Sequence, residues 1–247
     1  MRKYTPITGW FRRDPRHYRF PLPNAVWEYK LKPIEFVILS YLCCQHSHGG
    51  TNLSAEMIAK GVHLTVGTVK KYLSSLASRK FITDELSLAP AFQNTDDRKF
   101  FTLPNEIFLL NLPPSSFMVY AYLLLIEDRR THICHPSYNT IAAETGMTKN
   151  TAMKSIGILL DAGFITMEHS RYFDKRGMKW KGNNLYTILP TQVAVGQFHQ
   201  RQLHQLELDA ERRRTRNRQE AYDRRHSRTT PCPSVSTTTA SSPAPAV

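Results

Sequence analysis

The chain has 247 residues, 41% of them hydrophobic, and a formal net charge of +13. It is long enough to bury real cores, but its longest apolar run, FMVYAYLLLI at 117–126, falls short of the ~20 residues that span a bilayer, so we expect a buried helix and no membrane partner. The charge predicts an anionic partner. Four cysteines, two of them adjacent, favour a reducing cytoplasm over a disulfide framework.

Residues 1–19 form a basic, aromatic N-terminal arm without the apolar segment of a secretory signal. Such an arm can lie in a DNA groove or pack on the following domain, and the sequence leaves both open. Its arginines are Arg12, Arg13, Arg16 and Arg19, and its aromatic residues include Trp10, Phe11 and Tyr18.

The octet FPLPNAVW at 20–27 recurs as FTLPNEIF at 101–108, shifted by 81 residues. After a two-residue insertion, residues 54–83 align on 137–166 with 10 identities in 30 positions, where average composition gives about two. This period exceeds the roughly 20–50 residues of a solenoid repeat. The pattern predicts two copies of one small domain, the first half (20–97) and the second half (98–192), and it makes the octet a domain entry that contacts no DNA.

Three helices are predicted in each half. Pro33 and Pro114 suit the first turn of helix one, and the second and third helices begin after capping residues. We expect Gly61 and Gly146 to form the turn between the second and third helices. The caps are Ser54 and Thr65 in the first half, Ser137 and Thr148 in the second; the buried stripes of the third helices are Val69, Leu73, Leu76 and Ala152, Ile156, Leu159.

A β-prone FIT run follows each third helix, at 81–83 and 164–166. In the second half a second strand is predicted at NNLYTIL, with DKRG as the intervening turn. Three helices and a hairpin make a winged helix, in which the hairpin is the wing. The predicted fold is therefore mainly α with small β-hairpins (α+β), in two tandem winged helix-turn-helix domains.

The run LPNEIF, a helix, CHPSYNTIAAETGMTKNTAMKSIGILLDAGFI, a basic hairpin and YTI resembles the bacterial helix-turn-helix proteins of plasmids and integrative elements, over roughly residues 100–190. The doubled arrangement is similar to plasmid replication initiators built from two winged helices. The resemblance implies a cytoplasmic, nucleoid-associated protein that binds double-stranded DNA as initiator or transcription regulator. It implies no enzymatic activity, cofactor or small-molecule substrate; a homodimer or the replication or transcription machinery would be further partners.

In a helix-turn-helix the start of the second helix of the motif enters the major groove. In the second half this places an asparagine, which pairs with adenine, beside lysines, which reach guanine or phosphate. The predicted DNA-binding residues there are Ser137, Tyr138, Thr148, Lys149, Asn150, Thr151 and Lys154, with Arg171, Lys175, Arg176, Lys179 and Lys181 on the wing. The alternative for each is an ordinary solvated surface residue; Thr151 also suits a capping or packing role.

The matching stretch of the first half, Thr65-Val66-Gly67-Thr68, is poor in groups that read bases, although Lys70 and Lys71 follow it. Thr65, Thr68, Lys70 and Lys71 are therefore predicted to contact phosphates. An acidic stretch, with Asp84, Glu85, Asp96 and Asp97, stands where the wing would be. We expect the second half to read sequence, and the first half to add DNA affinity or to bind protein.

Two segments follow the second half. Residues 193–228 are Arg-rich and helix-prone, and we expect them to be helical and partly disordered. They would add nonspecific DNA affinity, bind a partner or remain a solvated tail. Residues 229–247 have almost nothing to bury and are expected to be disordered. A competing hypothesis makes the winged helices a protein-interaction module with only nonspecific DNA affinity.

The sequence also contains residues that could suggest a metal site or a nickase, but their pattern supports these hypotheses less than it supports DNA binding. Cys43, Cys44, His46 and His48 lie close together, but adjacent cysteines fit poorly with the spacing of zinc ligands, so we expect core cysteines. The HSH triplet at 46–48 is similar to the metal motif of rolling-circle nickases, yet its central residue is serine and no strand precedes it. The sequence contains no phosphate-binding glycine loop, so we do not expect an ATPase.

Overall fold

The structure is a computed structural model that describes residues 18–50, 53–83, 85–93, 100–173 and 179–226. It is mainly helical with small antiparallel sheets. The chain divides into two compact units, residues 1–199 and 200–247. Most of the predicted arm (1–17) and the predicted disordered tail (229–247) lie outside the described residues.

In its described residues the first half contains one strand and three principal helices in the predicted order. A 3-10 turn, Asn24–Trp27, separates the strand from the first helix. The elements are β1 (Arg19–Pro23), α1 (Pro33–Ser47), α2 (Ala55–Gly61), α3 (Val66–Ser78) and the short α4 (Pro90–Gln93).

The second half begins with equivalent elements and then adds a sheet of order β3-β5-β4. Its 3-10 turn is Asn105–Leu110. The elements are β2 (Phe100–Pro104), α5 (Pro114–Ile126), β3 (Ile133–Cys134), α6 (Tyr138–Thr145), α7 (Lys149–Asp161), β4 (Ile165–Phe173) and β5 (Lys179–Ile188). The helices α3 and α7 each have 13 residues.

The predicted helix starts are confirmed. Proline occupies the first turn of α1 and of α5, where its missing N–H costs no hydrogen bond. Each capping hydroxyl accepts the backbone N–H three residues on, which satisfies one donor of the first turn. These N···O distances are 3.2 Å for Ser54, 3.0 Å for Ser137, 3.3 Å for Thr65 and 3.2 Å for Thr148. The predicted stripes of α3 and α7 are buried.

The turns between these helices differ from the prediction in the first half. Gly146 ends α6 in the left-handed region, with φ +66°, as predicted. In the first half His63 takes that position with φ +54°, while Gly61 is still helical. A Cβ on Gly61 would lie 2.3 Å from Cζ of Tyr41. Gly61 is therefore glycine because the Tyr41 ring packs against its backbone, and its predicted role in the turn is wrong.

The two copies of the octet pair with each other. β1 and β2 form an antiparallel ladder that joins Phe20 to Leu103 and Leu22 to Phe101, with Pro21 opposite Thr102 at the centre. The four apolar side chains are buried. The octets therefore join the two halves, which goes beyond the domain entry that the sequence predicted.

Aromatic rings continue this junction between the halves. Trp27 packs on Tyr122 with centroids 5.5 Å apart, and Tyr41 packs on Phe108 at 5.2 Å. Phe36 of α1 meets Phe117 of α5 at 6.1 Å. Residues 116–124 of α5 are buried, because the helix packs on α7 and α6 of its own half as well as on α1. This confirms the buried helix predicted from the apolar run at 117–126.

Arg19 belongs to this junction as well. Its guanidinium donates to the hydroxyl of Thr102 at 2.9 Å and to the carbonyl of Thr102 at 2.7 Å. Arg19 therefore packs on the second half, whereas the sequence had offered a DNA groove or the first half as the place of the arm. The other predicted arm arginines lie outside the described residues.

A buried carboxylate holds α1 to α3 in the first half. Glu35 accepts hydrogen bonds from the Ser75 hydroxyl at 2.7 Å and the Lys32 backbone N–H at 2.9 Å. It also pairs with the Arg79 guanidinium at 3.2 Å. The equivalent position on α5 is Ser116, a buried hydroxyl without a partner among the described residues.

The segments after α3 and α7 differ most. β4 and β5 form a ladder of two strands, as predicted for the second wing, with an irregularity between His169 and Arg171. After α3 the described residues form one isolated bridge, between Ile82 and Leu88, instead of two strands. The backbone N–H of Thr83 donates to Ser87 at 2.8 Å and that of Ala89 donates to Phe81 at 2.9 Å on either side of it. The two-stranded wing expected for the first half is therefore not present in the described part of that segment.

The predicted Arg-rich helical segment corresponds to α8, Thr191–His226. Thr191 and Ala194 near its start are buried, whereas nearly every residue from Gln200 onward is exposed. Within the second unit the side chains pair locally, for example Arg212 with Asp209 at 3.5 Å. Among the described helices none is both long enough and apolar enough to traverse a bilayer.

Candidate nucleic-acid interface

The start of α7 carries the exposed polar residues that the sequence singled out. Lys149, Asn150 and Lys154 are all exposed, while Ala152 and Ile156 between and beyond them are buried. Apolar packing thus fixes which face of α7 points inward and leaves the amide and both ammonium groups in solvent. No acidic residue stands in the first turn to offset the positive end of the helix dipole.

The two threonines beside them serve the helix itself. Besides capping, the Thr148 hydroxyl lies 2.8 Å from that of Thr151, so each hydroxyl already has a partner. Thr65 and Thr68 form the same pair at 2.8 Å in the first half. Contact with DNA by any of the four stays a prediction. The geometry gives all four a structural role, which the sequence predicted for the caps Thr65 and Thr148 and offered as an alternative for Thr151.

The corresponding face of α3 presents different chemistry. Lys71 is exposed and is the sequence equivalent of Lys154. Lys70 is exposed too, but its ammonium lies 3.4 Å from the carboxylate of Glu56 on α2. Backbone and Ser54 hydrogen bonds, together with Lys70, hold the pKa of Glu56 below its ordinary value. The negative charge therefore persists beside one of the two lysines that were predicted to contact phosphates. Sequence spacing within one helix does not reveal this pair, because Glu56 and Lys70 lie on different helices.

Ser137 and Tyr138 lie at the start of α6. The Ser137 hydroxyl caps the helix and also lies 2.8 Å from the Thr140 hydroxyl. The half-buried Tyr138 donates its hydroxyl to the sulfur of Met167 on β4 at 3.6 Å. Both residues thus have partners within the protein, and their predicted DNA contact remains untested.

A polar cluster supports the base of the wing. Asn184 of β5, which is buried, donates to the Tyr186 hydroxyl at 2.9 Å, and its carbonyl lies 3.0 Å from Nδ1 of His169 on β4. Burial raises the pKa of the Tyr186 phenol. These hydrogen bonds hold β4 and β5 together at the end of the hairpin that lies near α6. The residues of this cluster are absent from the predicted site because their role is to position strands.

The predicted wing contacts lie farther out. Arg171 and Lys181 occupy paired positions on β4 and β5, and Lys179 pairs with Phe173 near the end of the ladder. The backbone therefore places these three basic residues on the same hairpin. Lys175 and Arg176, in the predicted turn, lie outside the described residues.

The cysteines lie in the protein interior. Cys43, Cys44 and Cys134 are free and buried. Burial raises the pKa of Cys44 to about 12, with a contribution from nearby Glu106, and burial raises that of Cys134 to about 12. Such thiols stay protonated and behave as core residues. Within the described ranges no group of three or more His, Cys, Asp or Glu residues is placed to hold a metal ion.

One known domain family matches the part of the chain that contains α7. A helix-turn-helix domain family matches residues 110–165, which span α5, α6 and α7. No curated protein matches the chain. Among solved structures, one described as a "Possible transcriptional regulator" from Methanosarcina mazei Go1 shares 15% identity over 48% of this chain and 94% of that one, with a TM-score of 0.29.

Proposed function

We propose that this protein is a sequence-specific double-stranded DNA-binding protein, built from two tandem helix-turn-helix domains of which the second reads the sequence. The observation that carries the proposal is the start of α7, where Lys149, Asn150 and Lys154 are exposed together within the matched helix-turn-helix domain. The second helix of such a motif inserts its N-terminal residues into the major groove. Asparagine and lysine are side chains that discriminate adenine and guanine there.

The charge distribution supports DNA as the partner. The whole chain carries +13, and the lysines of α3 and α7 project from helices with no acid in the first turn. A polyanion is attracted by such a surface in a salt-dependent way. We further propose that the protein belongs to a mobile element and serves it as replication initiator or transcription regulator, on the basis of the sequence resemblance of residues 100–190.

Binding measurements on paired variants test the proposal. Lys149→Ala with Asn150→Ala should lower the preference for a selected site over scrambled DNA by about 10- to 100-fold, since one bidentate contact, such as that of an asparagine with adenine, contributes about 1–3 kcal/mol. Lys175→Ala with Arg176→Ala should weaken binding to both DNAs alike. It should also reduce the slope of the logarithm of the affinity against the logarithm of the salt concentration, by about one per phosphate contact. If neither pair alters DNA binding, the protein-interaction hypothesis replaces this one.

The cellular role needs a separate experiment. Genome-wide mapping of bound sites should show either iterated sites at a replication origin, which supports an initiator, or sites at promoters, which supports a regulator. Sites scattered without a shared sequence would contradict sequence-specific binding itself.

A further inference from the structure

The ladder between β1 and β2 keeps its register when the two halves are exchanged. Moving each residue by the sequence offset of 81 turns the pair Phe20–Leu103 into the pair Leu22–Phe101, and leaves the central pair Pro21–Thr102 in place. Equivalent strands that pair in this way are related by an approximate two-fold axis through the central pair.

The aromatic contacts obey the same relation. The same offset converts the Trp27–Tyr122 contact into the Tyr41–Phe108 contact, and both are edge-on, at 72° and 88°. It leaves the contact between Phe36 and Phe117 unchanged. The relation therefore extends from the strands to α1 and α5. The third helices follow the same plan, since α3 packs on α1 and α7 packs on α5.

From this arrangement we infer that one chain occupies a bipartite, inverted DNA site whose halves are unlike: one half is selected by its bases, and the other is accepted at a fixed distance whatever its sequence. Two-fold symmetric helix-turn-helix dimers bind inverted half-sites because the protein axis coincides with a local axis of the duplex. Here the axis lies within a single chain, so one chain fills both half-sites. The inference rests on the proposed function.

The two halves of the DNA site differ because α3 and α7 present different residues to them. Where the second half presents Lys149 and Asn150, the first presents Val66 and Gly67, which have no side-chain group that pairs with a base. Lys71 remains as an exposed cation equivalent to Lys154, and a lysine can hold a phosphate without regard to sequence. The first half therefore supplies affinity and register.

The test uses the full chain on DNA selected from a random library, followed by hydroxyl-radical footprinting. We expect two protected patches related by inversion, with base preference confined to one. Randomising the bases of the tolerant half should change affinity less than about threefold. Inserting about 5 base pairs between the patches turns them to opposite faces of the duplex and should lower affinity at least tenfold.

Lys71→Ala should remove the footprint from the tolerant half of the DNA site alone. Its matched control, Lys154→Ala, should weaken the footprint on the other half of the DNA site. Both lysines are exposed, so neither substitution is expected to impair folding. A single protected patch that Lys71→Ala leaves unchanged, patches in direct repeat, or insensitivity to the insertion would each overturn the inference while leaving the proposed function intact. Failure to select any sequence would overturn the proposed function instead.

Discussion

The two halves of the protein share a three-helix scaffold and differ in the residues that they expose at the start of the third helix. Both use serine and threonine caps at equivalent positions, and both keep a third helix of 13 residues. At the start of that helix one segment exposes Lys149 and Asn150 where the other has Val66 and Gly67. The comparison teaches that caps and buried stripes define the motif, whereas its chemistry is set by the few positions that packing leaves free.

The halves also differ in how helix one is held to helix three, and this difference gives the largest expected effect. Glu35→Ala should destabilise the protein by about 2–4 kcal/mol, because it leaves the Arg79 guanidinium and the Ser75 hydroxyl without their buried acceptor. Chemical denaturation monitored by circular dichroism measures the change.

The equivalent substitution in the second half is the control. Ser116→Ala removes a buried hydroxyl that has no partner within the described residues, so its effect should be near zero or stabilising. Equal losses for the two substitutions would show that the Glu35 network does not distinguish the halves.

Glycine substitutions sharpen the comparison at the turns. Gly61→Ala should cost about 1–3 kcal/mol, since the new methyl group meets the Tyr41 ring, which is itself packed edge-on against Phe108. Gly146→Ala should cost about 1–2 kcal/mol for a different reason, its left-handed φ of +66° in otherwise open space. Thermal melts of both variants give the comparison.

Gly67→Ala provides the internal reference for these two variants. Nothing lies within 4 Å of the added methyl group, and alanine is the better helix former by about 1 kcal/mol. Its melting temperature should rise; a fall comparable to that of Gly61→Ala would mean that the crowding at Tyr41 is not the cause.

The smallest expected effect concerns the acid beside Lys70. Glu56→Gln should raise affinity for nonspecific DNA by about two- to fivefold, since it removes a negative charge near the phosphates and releases Lys70. Because the pKa of Glu56 is lowered, its carboxylate stays charged down to pH values below the ordinary range. The gain should therefore persist through neutral pH and vanish only in acid, where the wild-type residue is also neutral. If Glu56→Gln and the wild-type protein bind nonspecific DNA equally well across a salt titration at pH 7, this prediction is contradicted.

Much of this architecture is predictable from the sequence because it depends on local rules. Proline at a first turn, hydroxyl caps and the apolar stripe ending in Leu76 or Leu159 each act within one helix. The pairing of the two octets is not predictable in this way, since the buried Phe20 and Phe101 fit equally well with packing inside separate domains. The role of Gly61 and the Glu56–Lys70 pair likewise depend on contacts between elements.

The most direct test of the central claim, that the second segment reads sequence and the first does not, compares matched double variants. The quantity is the ratio of affinities for selected and scrambled DNA. Lys149→Ala with Asn150→Ala should lower this ratio by about 10- to 100-fold, and Val66→Ala with Gly67→Ala should leave it within about twofold. Equal losses in the two variants, or a larger loss in the first segment, would contradict the account.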